Sequence, residues 1–266
     1  MIKRILLGSL LAFALAAGCS RADQPHPPIL QNLMGPGIKV VATFQAPGNM
    51  TAYVVSIQGE NHVIYVTADH KHAIIGTMLD EHGRNLTQAQ LKEYAPKPDY
   101  SGLWQDAEHA SWIAEGAKSP KTVVYVMSDP HCPYCHAFWL ASLPYEKEGL
   151  QVRWIWVAYL RQDSAAKAAA ILGAKDPAAA MNRHERTFTE GGIAPLQHPD
   201  PQTLAKIKAN TALMEQYDIQ GTPAIIYKDS DDKPQLIVGM PSLKDLPGIF
   251  HLPAQAVDDP ALERFR

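Results

Sequence analysis

Cysteine is scarce in this chain: three residues in 266, at Cys19, Cys132 and Cys135. So few, with two of them close together, exclude a disulfide-built scaffold, which needs several well-separated pairs. Charge is modest as well. Charged residues make up 19% of the chain, the formal net charge is -3, and no long Lys/Arg stripe occurs, so nucleic acid is not expected as a partner. Past the first residues no apolar run approaches the ~20 residues that a membrane-spanning helix requires. Nor is there an internal repeat. What remains, with 46% hydrophobic residues, is the composition of a folded protein long enough for one large domain or two ordinary ones.

The first residues belong to a different class. Lys3 and Arg4 make a basic start, residues 5–17 an apolar stretch, and small residues follow, so 1–22 reads as a secretory signal. Two processing patterns overlap there. Ala16-Ala17-Gly18-Cys19 has the form of a lipobox, with Ala16 where leucine is usual, and makes Cys19 a candidate for lipidation. Ser20-Arg21-Ala22 is a small-x-small site that would release a soluble protein starting at Asp23. Either route puts the folded part in the periplasm, where disulfides persist. Either also leaves one cysteine pair in the body of the protein.

Between residues 38 and 79 the pattern is strand-like. Tyr53, Val55 and Ile57 alternate with Val54, Ser56 and Gln58, and turn residues cluster at 46–49, 58–60 and 82–85. An antiparallel sheet of about four strands is expected within an N-terminal domain, 23–85, too small to bury a large core alone and a natural place for pairing with a second subunit. A helix is expected from Leu86 with Thr87 as its cap, broken by Pro96 and Pro98. A second helical run through Leu103, Ala107 and Ile113 makes 86–119 a helical linker. Beyond it, 122–127 and 152–159 read as buried strands, 165–172 and 204–217 as helices, 224–227 and 236–238 as a strand pair, and 242–250 as a last helix. Strands alternating with helices make 120–254 an α/β domain. Residues 176–200 look irregular, and 255–266 a loosely held tail.

The chemistry lies at Ser128-Asp129-Pro130-His131-Cys132-Pro133-Tyr134-Cys135-His136. Two cysteines three positions apart at a helix start have a physical logic. The free N–H groups and positive dipole end stabilise a thiolate at the first, and the second lies within one turn, able to resolve a mixed disulfide. Pro133 suits a first-turn position. Cys132 is thus the expected nucleophile and Cys135 the resolving thiol. Three other readings use the same residues. Cys132, Cys135 and His136 satisfy the C-x-x-C-H pattern of c-type haem attachment, the thiols with His131 or His136 could hold zinc, and the pair could be a plain structural disulfide. His131 would either steady the thiolate or line a substrate groove, and the groove is the preferred reading. His70 and His72 read as solvated. Further on, Gly221-Thr222-Pro223 places a proline directly before a buried strand, where a cis peptide would expose backbone for an extended substrate segment.

Residues 129–135 and 221–225 together resemble the DsbC/DsbG family of periplasmic thiol:disulfide interchange proteins, on the DsbG side. The similarity also takes in Val41 to Met50, His72 to Gly76, Ser111-Trp112-Ile113, Ala168 to Leu172 and Lys175-Asp176-Pro177. The resemblance implies an α+β fold: a cystatin-like N-terminal dimerisation domain, a helical linker, and a C-terminal thioredoxin domain with a helical insertion. It implies a V-shaped homodimer and a disulfide isomerase or reductase that needs no cofactor and binds no metal. The cysteines would be kept reduced by a membrane donor of the DsbD type, and the substrates would be periplasmic proteins with cysteines, including sulfenylated single ones. A chaperone role is implied for some members. The Cys132–Cys135 pair carries over as the redox-active disulfide, and His131, Tyr134, Thr222 and Pro223 are the substrate-binding candidates. His131 departs from the aromatic residue of DsbG-like members, and the lipobox departs from the family's usual signal. A DsbA-like oxidase, or a binding module in which the thiols are incidental, are the competing readings.

Overall fold

The computed structural model describes residues 26–35, 38–57 and 60–266. The signal segment and Cys19 lie outside them. The chain forms two compact units that divide between Lys97 and Pro98.

In the first unit α1 (Pro28–Leu33) precedes β1 (Lys39–Ala46), β2 (Met50–Ile57), β3 (Glu60–Val66) and β4 (Ala73–Ile75). They form a four-stranded antiparallel sheet in chain order. Gly48 and Asn49 turn the first hairpin with positive φ, a conformation open to glycine and tolerated by asparagine. Alternation sorts β2 and β3 onto two faces. Val54 and Tyr65 join Phe44 in one cluster, and Val55, Ile64 and Val66 join Leu30 of α1 in the other. Helix α2 (Leu86–Tyr94) packs on the first face through Leu91. Its cap is Asn85, whose side chain accepts from Gln88 N–H at 2.9 Å. Thr87 is not the cap: its hydroxyl meets Tyr65 Oη at 2.7 Å and receives Met78 N–H at 2.8 Å.

The second unit holds α3 (Ser101–His109), β5 (Trp112–Gly116), β6 (Thr122–Ser128), α4 (Pro133–Glu146), β7 (Leu150–Trp156), α5 (Ser164–Leu172), α6 (Pro177–Arg186), α7 (Pro201–Gln216), β8 (Ala224–Lys228), β9 (Pro234–Val238) and α8 (Leu246–Phe250). The strand order is β5-β7-β6-β8-β9, with β6 and β7 parallel and the other neighbours antiparallel. Central β6 is buried on both faces, Val124 and Val126 toward one cluster and Tyr125 and Met127 toward the other, which is why its sequence is one apolar run.

Three expectations change here. Residues 86–119 are not one helical linker: α2 belongs to the first unit, α3 buries Leu103 and Ala107 in the second, and 112–116 is an edge strand. The helix stops at Ala110, which is extended, and Asn210 then holds Ser111 through both its N–H and its carbonyl, so the chain enters the sheet. The stretch 176–200 contains α6, started by an Asp176 cap and Pro177. The tail is held: 260–265 is a 3-10 helix, Val257 and Leu262 are buried, and Phe265 packs on the same core.

Candidate active site at the start of the fourth helix

Strand β6 ends at Ser128, and the next turn delivers Cys132 as the N-cap of α4 with Pro133 as its first residue. Cys132 N–H closes that turn on the Asp129 carbonyl at 3.0 Å. The Cys132 sulfur accepts from Cys135 N–H at 3.1 Å and, as a thiol, donates to the Thr222 carbonyl at 3.3 Å. Both cysteines are free thiols and both are buried. Their chemistry is opposed. Cys132 is pulled down to about 7, chiefly by the hydrogen bond from the Cys135 thiol, helped by the Thr222 side chain and the N–H groups of Cys135 and Tyr134, against burial. Burial first, then the neighbouring Cys132, pushes Cys135 well above the ordinary thiol range. Near neutrality the pair is one part-ionised sulfur next to one sulfur that keeps its proton, the division that attack and later resolution require.

The Thr222–Pro223 peptide is cis and lies directly across from Cys132. Thr222 Oγ1 meets Tyr159 Oη at 3.2 Å. Tyr159 is in turn placed by Asp129, a buried carboxylate whose capacity is filled. Oδ1 accepts from His131 N–H at 2.9 Å and Ser164 Oγ at 3.0 Å; Oδ2 accepts from Tyr159 N–H at 2.9 Å and Leu160 N–H at 3.1 Å. Asp129 therefore ties the cysteine turn to the 159–164 loop.

Sequence reading singled out six residues here, and the fold gathers four of them: Cys132, Cys135, Thr222 and Pro223. The other two flank the site, His131 largely buried and Tyr134 exposed. His131 Nε2 pairs with Asp163 Oδ1 at 2.8 Å, and its ring lines a cavity. Tyr134 is half exposed, with the Arg264 guanidinium 4.9 Å from its ring centroid and Phe265 at its edge. His136, the histidine of the C-x-x-C-H pattern, binds buried Glu185 at 2.8 Å and stacks on Phe188 at 4.6 Å, so its ring is committed inside the helical insertion. Among the described residues no group of three His, Cys, Asp or Glu side chains is arranged to hold a metal ion; His70 and His72 are exposed.

Several contributors escaped sequence reading. Tyr159, Ser164 and Glu185 lie 24 to 50 positions beyond Cys135 with no motif of their own, and only the apposition of loops reveals them. Asp129 was legible as part of the motif but not as a four-donor clamp. Glu115, buried in β5, accepts from Trp139, Trp154 and Asn182, and burial raises it.

Comparison with known proteins places both units in known families. Residues 20–88 match the family described as the disulfide bond isomerase protein N-terminal domain, and 109–250 match a thioredoxin-like domain. DsbG of Pseudomonas aeruginosa is 33% identical over 89% of this chain and 93% of its own length. DsbG of Escherichia coli is 36% identical over 92% and 97%. The chain belongs to the DsbC/DsbG family of periplasmic thiol:disulfide interchange proteins. Within that family the likeness to DsbG is the stronger: DsbC of Dickeya dadantii is 31% identical over 86% of the chain and 88% of its own length. The family is one of enzymes, with an N-terminal domain ahead of a thioredoxin-type unit, as the two units here are.

Proposed function

We propose that this protein is a reductase and isomerase of protein disulfides, with Cys132 as nucleophile and Cys135 as resolving thiol. The observation that carries this is the placing of the two sulfurs: Cys132 caps α4, accepts from Cys135 N–H and meets the Thr222 carbonyl, while Cys135 is buried one turn inside the helix. The Cys132 thiolate attacks one sulfur of a substrate disulfide; that S–S bond breaks, a mixed disulfide forms and a substrate thiolate leaves. In isomerisation another substrate thiolate attacks the mixed disulfide and returns Cys132 as thiolate. In reduction Cys135 loses its proton, attacks the Cys132 sulfur and releases the second substrate thiolate, leaving the Cys132–Cys135 disulfide. A dithiol donor then resets the pair, and a membrane reductant of the DsbD type fills that role. With a substrate sulfenic acid, the same attack forms the mixed disulfide and breaks the S–O bond; the hydroxide takes a proton from solvent and leaves as water. Thr222, Pro223, His131 and Tyr134 are the contacts for the substrate chain.

The first unit pairs two copies. The short edge strand β4 leaves Ile74 and Ile75 exposed, with Leu79 beyond it, an apolar edge suited to a partner sheet. Processing after residue 22 gives a soluble periplasmic protein, and lipidation of Cys19 a tethered one.

The test is a Cys135→Ala variant expressed in its own compartment. It should accumulate mixed disulfides through Cys132, released by dithiothreitol and absent when Cys132 is also replaced. No trapped partner would overturn the reading. A Cys132–Cys135 pair found mainly as disulfide in cells would favour an oxidase instead.

A further inference from the structure

Beside Cys132 lies a cavity of about 340 Å³ that the thiol chemistry does not use. Pro130, His131 and Pro133, the residues bracketing the nucleophile, form one wall; Arg161, Lys167 and Phe188 face them. Its charge is unbalanced. Lys167, on α5, is only 6% exposed, yet its ammonium has no carboxylate within ion-pairing distance among the described residues; it donates to the Gly191 carbonyl at 2.5 Å. An ammonium carries three donors, and one carbonyl does not compensate a buried charge. Arg161, at the mouth, likewise has no ion-pair partner among the described residues. Of the nearby carboxylates, Asp163 pairs with His131 and Glu185 with His136. Asp129 is filled by four neutral donors, and Glu190, exposed between Thr189 and Gly191, makes no ion pair with either cation. The cavity thus presents two uncommitted cations, one of them buried, beside an apolar wall.

We infer that this cavity is an anion subsite that takes the carboxylate of an acidic side chain in the polypeptide whose cysteine reacts at Cys132. The inference rests on the proposed function and adds a sequence preference to it. Because Pro130, His131 and Pro133 flank the nucleophile, and an extended chain advances ~3.3 Å per residue, the acidic residue belongs within two or three positions of the reacting cysteine. The carboxylate enters between Arg161 and Lys167, while its methylene groups lie against Phe188. The anion completes the hydrogen bonding of buried Lys167 at the inner end of a cavity that is open to solvent at Arg161, through a charge-assisted bond.

The test uses the reduced full-length protein and pairs of peptide mixed disulfides that differ only by glutamate or glutamine two residues from the cysteine. The wild type should reduce the glutamate peptide about tenfold faster in kcat/KM at low salt, as one charge-assisted hydrogen bond warrants. That ratio should fall toward one with rising salt, in Arg161→Gln and in Lys167→Met. Arg161 is exposed, so its variant reads out the site even if Lys167→Met does not fold. Equal rates on both peptides, with both reduced, would overturn the subsite and leave the thiol reading standing. Failure to reduce either peptide would instead count against the thiol reading. Oxidised glutathione, whose carboxylates offer the same chemistry on a small molecule, is the control. A loss on substituting Arg161 that is seen only with glutathione would overturn the assignment to a polypeptide side chain.

Discussion

At the scale of single residues, the proposed function turns on two sulfurs of one residue type held in different surroundings. Cys132 receives hydrogen bonds at the mouth of a helix, and Cys135 is buried one turn inside it. Alkylation of the reduced protein by iodoacetamide should therefore modify Cys132 first, with a midpoint near pH 7 and a rate falling about tenfold per pH unit below it. A midpoint near the free-thiol value would show that the helix start does not activate this sulfur. Linkage has a definite sign. The folded value lies below the ~8.5 of a free thiol, so Cys132 stabilises the reduced fold above that pH, and the contribution is lost as pH falls through about 7. Denaturant titrations of the reduced protein and of Cys132→Ser should differ in slope across that window. Asp129 acts by position: Asp129→Ala strands four donors, and a loss of about 3 kcal/mol in unfolding free energy is expected, with a displaced Cys132 midpoint as the cysteine turn loosens. An unchanged midpoint would confine Asp129 to stability.

At the scale of elements, burial decided what local pattern could not. Trp112 and Ile113 continue the spacing of α3 but enter β5, because an edge position in the sheet and the Asn210 bridge outweigh a helical preference. The last residues look polar and frayed as sequence, yet Leu262 is fully buried, so Leu262→Ala should cost about 3 kcal/mol in chemical denaturation; a loss under 1 kcal/mol would mean the 3-10 helix is not docked. Helix α6 brings a pH signature. Burial pushes His184 down to about 4, so between about pH 6.5 and 4 the unfolded chain binds a proton that the folded chain refuses. Stability should fall as pH drops through that range, and His184→Gln should flatten the fall.

At the scale of the whole molecule, the proposed function asks each unit for something beyond itself. The first exposes Ile74 and Ile75 on an edge strand, which suits a second copy, and the second holds a thiol pair that a reductase cycle has to re-reduce. Sedimentation of the full chain should give a dimer, and Ile75→Asp should shift it to monomer while Cys132 keeps its alkylation midpoint; a wild-type monomer would remove the case for pairing. The sequence by itself determined the cysteine pair, its place at a helix start, the proline before a strand, and the alternation that makes one small sheet and one α/β unit. Those properties depend on neighbours within a few positions, or on periodicities of two and 3.6. Only the tertiary structure decided that Thr222 meets Cys132 across ninety positions, that Asp129 clamps the 159–164 loop, and that a buried Lys167 lines a cavity without an ion pair among the described residues. Contacts of that kind form when a sheet and its covering helices bring distant loops together, and no local pattern encodes which loops will meet.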